Sequence, residues 1–376
     1  MKKTRFALVG AAIAIGAVAL AGCSSGTASS GGSTPSSAAS QAGVTSTIDA
    51  SLTGTVTAGG SSAQANAQSA WVSAYNAQVK GVTINYDKSQ GSGGGVTNFL
   101  SGAYDFAGSD FPMTADDTTK SKATCGTGGI NVPIYLDGVS IVYNIPGVSS
   151  LTLSGDTIAK IFNLKITDWS DPAITKDNGG TALPAGAITT VARSDGSGTT
   201  FNFLSYLAGT QAASWTYPAG KNWPVSGNVS LQKGNPGVAG AVQGGTGTIG
   251  YVDHAAIGKL NEAAVLVGTT PVKYSAAGVT NTFDKAAVES SNGVTGDLSK
   301  KFDYTKLTAD TYPIPLVSYA ILCTTFKDAK QAAITKSYLS FIASSVGQQV
   351  AAKNAGSAPL PVSVLEATQK SIAAIK

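Results

Sequence analysis

The chain of 376 residues contains very little arginine and histidine. Arginine occurs only as Arg5 and Arg193, so lysine provides the other 23 of the 25 basic side chains. The single histidine, His254, leaves no His/Cys/carboxylate cluster of the kind that binds zinc. No G-x-x-x-x-G-K-[ST] loop for a nucleotide is present. The sequence therefore predicts neither a metal site nor a cofactor.

The chain also lacks a hydrophobic run long enough for a membrane span. The longest uncharged apolar run, residues 7–20, has ~14 residues, whereas a spanning helix needs about 20. It follows three basic residues within positions 1–5, which is typical of an export signal over residues 1–22. Leu20-Ala21-Gly22-Cys23 resembles a bacterial lipobox, which implies cleavage before Cys23 and lipid attachment to its sulfur. The alternative is an ordinary secretory signal followed by an incidental cysteine.

Residues 24–48 carry no charge and almost no large apolar side chain. Such a segment cannot bury enough surface to fold, so a flexible tether is predicted over residues 23–49. Removal of residues 1–22 deletes three basic residues and no acidic ones, which lowers the formal net charge from +4 to +1. A nearly neutral chain without basic runs argues against nucleic acid as a partner.

Two cysteines remain after Cys23. Cys125 and Cys323 form an even pair in an exported chain, where the compartment is oxidising. A disulfide between them is one prediction, and two buried thiols are the other.

From about residue 52, strand-like and helical patterns alternate. Residues 82–86 (VTINY), 132–144 (VPIYLDGVSIVYN) and 187–192 (AITTVA) read as strands. A helical segment lies between the first of these and the tether, with apolar residues spaced i, i+4, i+8 at Trp71, Tyr75 and Val79. This alternation predicts an α/β architecture with helices covering the sheets.

Three Gly/Ser-rich junctions each open a helix: residues 58–64 (AGGSSAQ), 90–96 (QGSGGGV) and 195–201 (DGSGTTF). A helix start presents unpaired N–H groups and the positive end of the dipole. Glycines let this backbone approach a ligand closely, so each junction is a candidate anion site. Each is also compatible with ordinary N-capping.

Arg193 precedes the third junction and is the only arginine after the signal. Its planar fork can bind a tetrahedral oxyanion through two parallel hydrogen bonds, which lysine cannot do. Asp195 could hold the guanidinium, and the helix start would donate from Ser197, Gly198 and Thr199. The alternative is a surface Arg-Asp pair beside a capped helix, although lysine would serve equally well there.

The motif RSDGSGTTFNFLSYL, which begins at Arg193, is similar to a signature of the PstS family, the phosphate-binding proteins of the high-affinity phosphate ABC transporter. Residues 91–110, 161–174 and 247–255 resemble this family in the same order. The resemblance implies a type II periplasmic-binding-protein fold of class α/β, in which two domains are joined by a two-strand hinge and phosphate lies in the cleft. The expected ranges are 50–141 with 318–376 for domain I, and 142–317 for domain II.

The resemblance also implies a set of phosphate-binding residues. Carried over by position, they are Ser62, Ala63, Ser92, Asp110, Arg193, Asp195, Ser197, Gly198 and Thr199. This chain has Ser62-Ala63-Gln64 where the family usually has Thr-Phe-Pro, so Ala63 is expected to act through its backbone N–H. Gly93 replaces a common serine.

Asp110 is the residue predicted to determine specificity. Monohydrogen phosphate carries a proton that it can donate to a carboxylate, whereas sulfate at neutral pH has none. A site built around such a hydrogen bond can reject the analogue that lacks it by ~10⁴–10⁵. The hypothesis is that Asp110 selects phosphate over sulfate.

The predicted protein is a monomeric, extracytoplasmic binding protein rather than an enzyme. Its partners would be inorganic phosphate, the membrane permease of a phosphate ABC transporter and, through lipid on Cys23, the membrane. One alternative is a phosphatase with Ser197 as nucleophile and His254 as base, although no spacing pairs these two residues. Others are a binder of sulfate, molybdate or an organic phosphate, and a surface adhesion protein.

Overall fold

The computed structural model describes residues 43–376. The predicted signal peptide, Cys23 and most of the predicted tether lie outside these residues. The strands are β1 Thr53–Gly60, β2 Gly81–Asp87, β3 Phe106–Ser109, β4 Gly129–Asn144, β5 Thr152–Leu153, β6 Thr189–Arg193, β7 Val229–Gln232, β8 Thr248–Asp253, β9 Asn261–Glu262, β10 Ala264–Val267, β11 Thr270–Val272, β12 Ala287–Glu289, β13 Lys300–Phe302 and β14 Pro315–Cys323.

The helices of the same region alternate with these strands, as the sequence pattern predicts. They are α1 Ala65–Asn76, α2 Gly91–Leu100, α3 Ala115–Cys125, α4 Gly155–Phe162, α5 Pro172–Asp177, α6 Gly198–Thr210, α7 Gly234–Gly244, α8 Ala276–Ala286, α9 Ala329–Ile342, α10 Ser345–Ala355 and α11 Val362–Ala373. Short 3-10 helices span His254–Ala256 and Tyr304–Lys306.

A nine-stranded mixed sheet forms the centre of the fold, in the order β2-β1-β3-β14-β4-β8-β6-β7, with β9 paired to β4. β1 is parallel to β2 and β3, and β6 is parallel to β7 and β8. β4 and β14 run antiparallel between these two groups. The α/β class predicted from the alternating pattern is confirmed.

β4 connects the two parallel groups of strands. Its residues 129–138 pair with β14, and residues 139–144 pair with β8. The register between β14 and β4 shifts between Ser318 and Tyr319, and such irregularities re-aim side chains. The domain ranges expected from the resemblance stay a prediction.

The predicted strand-like and helical segments agree with the observed elements. Residues 82–86 and 132–144 lie within β2 and β4, and residues 187–192 overlap β6. Trp71 and Tyr75 on α1, and Val79 beyond its end, are fully buried in the core. Helical spacing of these side chains therefore marked the face of α1 that packs inward.

Two further features concern the cysteines and the N-terminal end of the described residues. The sulfur atoms of Cys125, at the end of α3, and Cys323, at the end of β14, are bonded, with Cα atoms 5.0 Å apart. Residues 43–49 fall within the predicted tether, yet Val44 is buried and its carbonyl accepts from the Ser345 N–H. Within residues 43–376, no helix is both long enough and apolar enough to span a membrane.

Candidate functional site

Each of the three predicted junctions connects a strand to the start of a helix, so that part of the prediction is confirmed. Residues 58–64 lead from β1 to α1, residues 90–96 from β2 into α2, and residues 195–201 from β6 into α6. The starts of α2 and α6 are in direct contact, because the Gly93 N–H donates to the Gly196 carbonyl at 2.8 Å. A Cβ on Gly93 would lie 3.1 Å from the Gly196 Cα, so the small residue permits this approach.

Arg193 ends β6 and is almost completely buried, with 2% of its surface exposed. Its Nε donates to Asp195 Oδ1 at 2.8 Å, and its Nη2 donates to Asp195 Oδ2 at 2.5 Å. The sequence predicts that Arg193 makes a pair of parallel hydrogen bonds to an oxyanion. In the structure, one edge of the guanidinium makes this pair of bonds to Asp195. On the other edge, Nη1 makes longer contacts to Thr199 Oγ1 at 3.4 Å and to Asn235 Oδ1 at 3.3 Å.

Asp195 is held by donors on several sides. Besides Arg193, the Gly234 N–H at the start of α7 donates to its Oδ1 at 3.0 Å. Burial by itself would raise the pKa of Asp195, but the hydrogen bonds and charge of Arg193, with the Gly234 N–H, lower this pKa below its ordinary value. Asp195 is therefore an ionised partner that fixes the guanidinium in one orientation.

Asn235 links the Arg193 side of the site to the α1 junction. Its side-chain oxygen accepts from Arg193 Nη1 and from the Asp253 N–H, and its backbone N–H donates to Ser62 Oγ at 3.2 Å. Ser62 is 7% exposed. The start of α7 is thus a fourth helix start at the site.

Asp110 lies directly after β3 and is 2% exposed. Among residues 43–376, its carboxylate accepts hydrogen bonds from three serine hydroxyls: Ser61 and Ser318 donate to Oδ1, both at 2.5 Å, and Ser92 donates to Oδ2 at 3.3 Å. Burial raises the pKa of Asp110, while the bonds from Ser318 and Ser61 and the charge of Arg193 oppose that rise.

Gly198, the first residue of α6, packs against Asp110 and Ser92. A Cβ at this position would overlap the Asp110 side chain and come within 2.6 Å of Ser92 Oγ. Asn202, one turn further along α6, donates through Nδ2 to the Asp110 carbonyl at 2.6 Å. Only glycine fits at position 198 while α6 keeps this contact with Asp110.

The structure brings all nine predicted residues into one connected group. Eight of them have little or no exposed surface: Ser62, Ala63, Ser92, Asp110, Arg193, Ser197, Gly198 and Thr199. Ala63, expected to donate its N–H to the ligand, donates it here to Ser61 Oγ at 3.1 Å. Their assignment as ligand-binding residues stays a prediction.

Sequence reasoning missed Ser61, Ser318 and Asn235. Ser61 lies in the first junction, beside the chosen Ser62, and Asn235 follows a glycine at a strand-to-helix turn. Both residues could have been found from the sequence. Ser61 is part of a predicted junction, and residues 233–236 form a fourth glycine-containing strand-to-helix junction that includes Asn235. Ser318 carries none, because it contacts Asp110 from 208 residues away in a strand interior.

His254 and Ser197 occupy separate environments. His254 Nδ1 lies 3.0 Å from Ser140 Oγ, whose hydroxyl also contacts Glu262, and the ring stacks on Tyr274. Ser197 Oγ caps α6 by accepting from the Thr200 N–H at 3.0 Å. This arrangement does not place His254 as a base for Ser197.

Comparisons with known proteins agree on one family. A family model described as "PBP superfamily domain" matches residues 37–346. The phosphate-binding protein PstS 2 of Mycobacterium tuberculosis is 35% identical over 371 residues, covering 96% of each chain. PstS3 of Mycobacterium bovis is 33% identical over 90% of each chain, and PstS of Pasteurella multocida is 33% identical over 84% of this chain and 89% of its own.

Solved structures with the same fold are more distant in sequence. A phosphate-binding protein from Stenotrophomonas maltophilia superposes with a TM-score of 0.66 at 20% identity, covering 84% of this chain and 93% of its own. A high-affinity periplasmic phosphate-binding protein, PfluDING, bound with phosphate, gives 0.66 at 19% identity with the same coverage. These similarities support the two-domain periplasmic-binding-protein fold.

Proposed function

We propose that this chain, which belongs to the PBP superfamily and within it to the PstS family of phosphate-binding proteins, captures inorganic phosphate outside the cytoplasm and delivers it to an ABC permease. One observation carries the proposal. A buried arginine, held by a carboxylate along one edge, lies among four helix starts, with a second buried carboxylate in the same group.

The Arg193 side supports binding of a tetrahedral anion. The Nε/Nη2 edge is committed to Asp195, while the two Nη1 contacts are long and can be exchanged for anion oxygens. The helix starts add N–H donors at Gly198 and Thr199, and hydroxyls at Ser62 and Ser92. The Gly198 and Thr199 N–H groups are fixed by the buried start of α6, so they are already oriented when the anion arrives.

The Asp110 side supports phosphate over sulfate. An ionised, buried carboxylate repels an anion unless the anion brings a proton to share. Phosphate supplies that proton, and sulfate leaves the carboxylate oxygen without a donor. Asp110 is thus the residue proposed to discriminate between the two ligands.

Delivery and location are inferred from the family and the N-terminus. The lipobox-like tetrad supports a lipid anchor on Cys23, and residues 24–42 would connect the anchor to the folded chain. Hinge closure around phosphate would create the form that the permease recognises. The position of His254 argues against the phosphatase alternative. Its ring is hydrogen-bonded to Ser140 rather than to Ser197, which supports a binding protein rather than an enzyme.

The test is calorimetric titration of the purified full chain, freed of bound phosphate, with phosphate, arsenate and sulfate. We expect tight one-to-one binding of phosphate and arsenate, no heat with sulfate, and no turnover of a phosphate ester. Equal binding of sulfate and phosphate, or no binding of phosphate, would contradict the proposal. Hydrolysis of the ester that is lost in Ser197→Ala would favour the phosphatase instead.

A further inference from the structure

A buried chain of hydrogen bonds ends on Asp110 Oδ1. The Tyr338 hydroxyl donates to Gln68 Oε1 at 2.8 Å, and Gln68 Nε2 donates to Gln64 Oε1 at 2.8 Å. Gln64 Nε2 in turn donates to Ser318 Oγ at 2.7 Å, and the Ser318 hydroxyl donates to Asp110. All five side chains are at most 2% exposed.

The direction of this chain follows from the chemistry of its members. An amide NH₂ group only donates, so Ser318 Oγ must accept from Gln64 and can direct its single proton only onward. That proton points to Asp110 Oδ1. Burial raises the pKa of the Tyr338 hydroxyl well above its ordinary value, so the first donor keeps its proton. Each bond therefore polarises the next toward the carboxylate.

Ser61 is constrained in the same way from the opposite side. Its Oγ accepts from the Ala63 N–H at 3.1 Å and from the Gln64 N–H at 3.4 Å. Its own proton is therefore free for Asp110 Oδ1, at 2.5 Å. Since Oδ1 already accepts two O–H donors, any proton that Asp110 carries or receives must be on Oδ2, the oxygen that faces Ser92.

Gln64 contributes to both serines. Its backbone N–H reaches Ser61, and its side-chain amide reaches Ser318. The resemblance leads one to expect proline at this position, and proline has neither an N–H nor a side-chain amide. The second hydroxyl belongs to Ser318, which lies where the register between β14 and β4 shifts.

Resting on the proposed function, we propose that Gln64, Ser61 and Ser318 are specificity-positioning residues: they keep Asp110 ionised and present Oδ2 alone as the acceptor for the ligand's proton. Without the two hydroxyl donors, Asp110 would protonate more readily. A neutral Asp110 would carry a proton that it can donate, so sulfate would meet a donor there instead of an unpaired acceptor.

Several other charged or titratable groups also act on Asp110. Arg193 favours its ionised form, whereas Asp253 and Tyr86 interact with it electrostatically without a direct hydrogen bond. Lys300 and Lys301 line a cavity that Asp110 also borders. None of these groups is altered when a serine is replaced, so comparison of variants at one pH isolates the two hydroxyls.

The experiment measures phosphate and sulfate affinity of the full chain between about pH 5 and about pH 9. In Ser61→Ala/Ser318→Ala, the ratio of sulfate to phosphate dissociation constants should fall at least ~10-fold, and sulfate binding should extend to higher pH. Sulfate does not titrate in this range, so its profile reports the protein. Ser318→Thr keeps the hydroxyl and should retain the wild-type ratio.

Ser109→Ala is the matched control, because Ser109 is equally buried but its hydroxyl donates to the Phe111 carbonyl. It should leave selectivity unchanged. If the double variant does not fold, Ser318→Ala alone should give the same change at smaller amplitude. Gln64→Met, which leaves both hydroxyls but removes the amide that directs Ser318, should give a smaller change still.

A readout without ligand separates this inference from the proposed function. In carbon-13 NMR of the phosphate-free protein, the pKa of the Asp110 carboxyl should rise by about one unit or more in the double variant. If the wild type does not bind phosphate, the proposed function fails, while the NMR shift still tests the serines. An unchanged Asp110 pKa together with unchanged sulfate rejection in the double variant would overturn the inference.

Discussion

Asp195, which is partly buried, and Asp110, which is buried, are the two carboxylates of the candidate site, and their hydrogen-bond donors differ in charge. Asp195 accepts a two-pronged bond from the Arg193 guanidinium and a third bond from a backbone N–H. Within residues 43–376, the Asp110 carboxylate accepts from uncharged serine hydroxyls alone. Consequently the pKa of Asp195 is lowered and that of Asp110 is raised, although both lose water on burial.

One site can therefore use the same type of side chain for two different tasks. A carboxylate paired with a guanidinium is neutralised, so Asp195 can orient Arg193 without facing the ligand. A carboxylate bound by hydroxyls keeps its charge and a free lone pair. Asp110 can therefore accept a hydrogen bond from a ligand that carries a proton and is left unpaired by one that does not. Three substitutions and one series of stability measurements test whether the two carboxylates have these separate roles.

The largest effect is expected from Asp110→Asn. Because Ser61 and Ser318 hold one oxygen, the new amide nitrogen should take the place of Oδ2 and donate to sulfate. We expect the preference for phosphate over sulfate to fall ~10³-fold or more, measured by calorimetric titration with both anions. Sulfate rejection equal to that of the wild type would show that Asp110 does not discriminate.

Arg193→Lys should weaken phosphate binding by about 100-fold, with sulfate still rejected. A lysine ammonium cannot contact Asp195 along two parallel bonds and reach the anion as well. Thermal unfolding of the ligand-free variant serves as the control for folding. If Arg193→Lys binds phosphate as the wild type does, the guanidinium has no special role.

The contrast between the two carboxylates also marks the limit of prediction from sequence. The Arg193 side is local, since Asp195 and the α6 start follow within six residues and one motif contains them all. The Asp110 side is assembled from distant segments. Ser318 meets Asp110 because β14 lies between β3 and β4, an arrangement that no local pattern specifies.

Local patterns predicted elements better than they predicted boundaries. Periodicity identified the buried face of α1, and the glycine-rich junctions located three helix starts. The composition of residues 43–49 gave no hint that Val44 would pack into the core and accept from Ser345, because one apolar side chain does not change a polar segment's average. Similarly, the sequence identified Gly93 only as the replacement of a common serine, whereas its small size permits the contact between α2 and α6.

Asp195→Asn should have a smaller effect than Arg193→Lys, about 10-fold on phosphate affinity. The guanidinium keeps its charge, and asparagine can still accept one of the two hydrogen bonds. Discrimination against sulfate should be unchanged, since Asp110 is untouched. A loss of sulfate rejection in this variant, measured by the same titration, would mean that the two carboxylates do not have separate tasks.

The smallest effect is expected in the pH dependence of stability, where the two residues should have opposite signs. The lowered pKa of Asp195 means that its contribution to stability is present above the unfolded-state pKa of about 3.9 and is lost as pH falls through the folded-state value. The raised pKa of Asp110 means the reverse: the folded state holds that proton more tightly, so stability falls as pH rises through its folded-state value.

Urea unfolding of the ligand-free protein at a series of pH values checks both signs. The free energy of unfolding of Asp195→Asn should fall further below that of the wild type as pH rises from about 3 to about 6. The free energy of unfolding of Asp110→Asn should increase relative to that of the wild type as pH rises through the raised pKa of Asp110. The reason is that the variant has no buried carboxylate to ionise. Parallel curves for the two variants would remove the electrostatic distinction, and an inverted Asp110 curve would mean that the three serines and Arg193 outweigh burial.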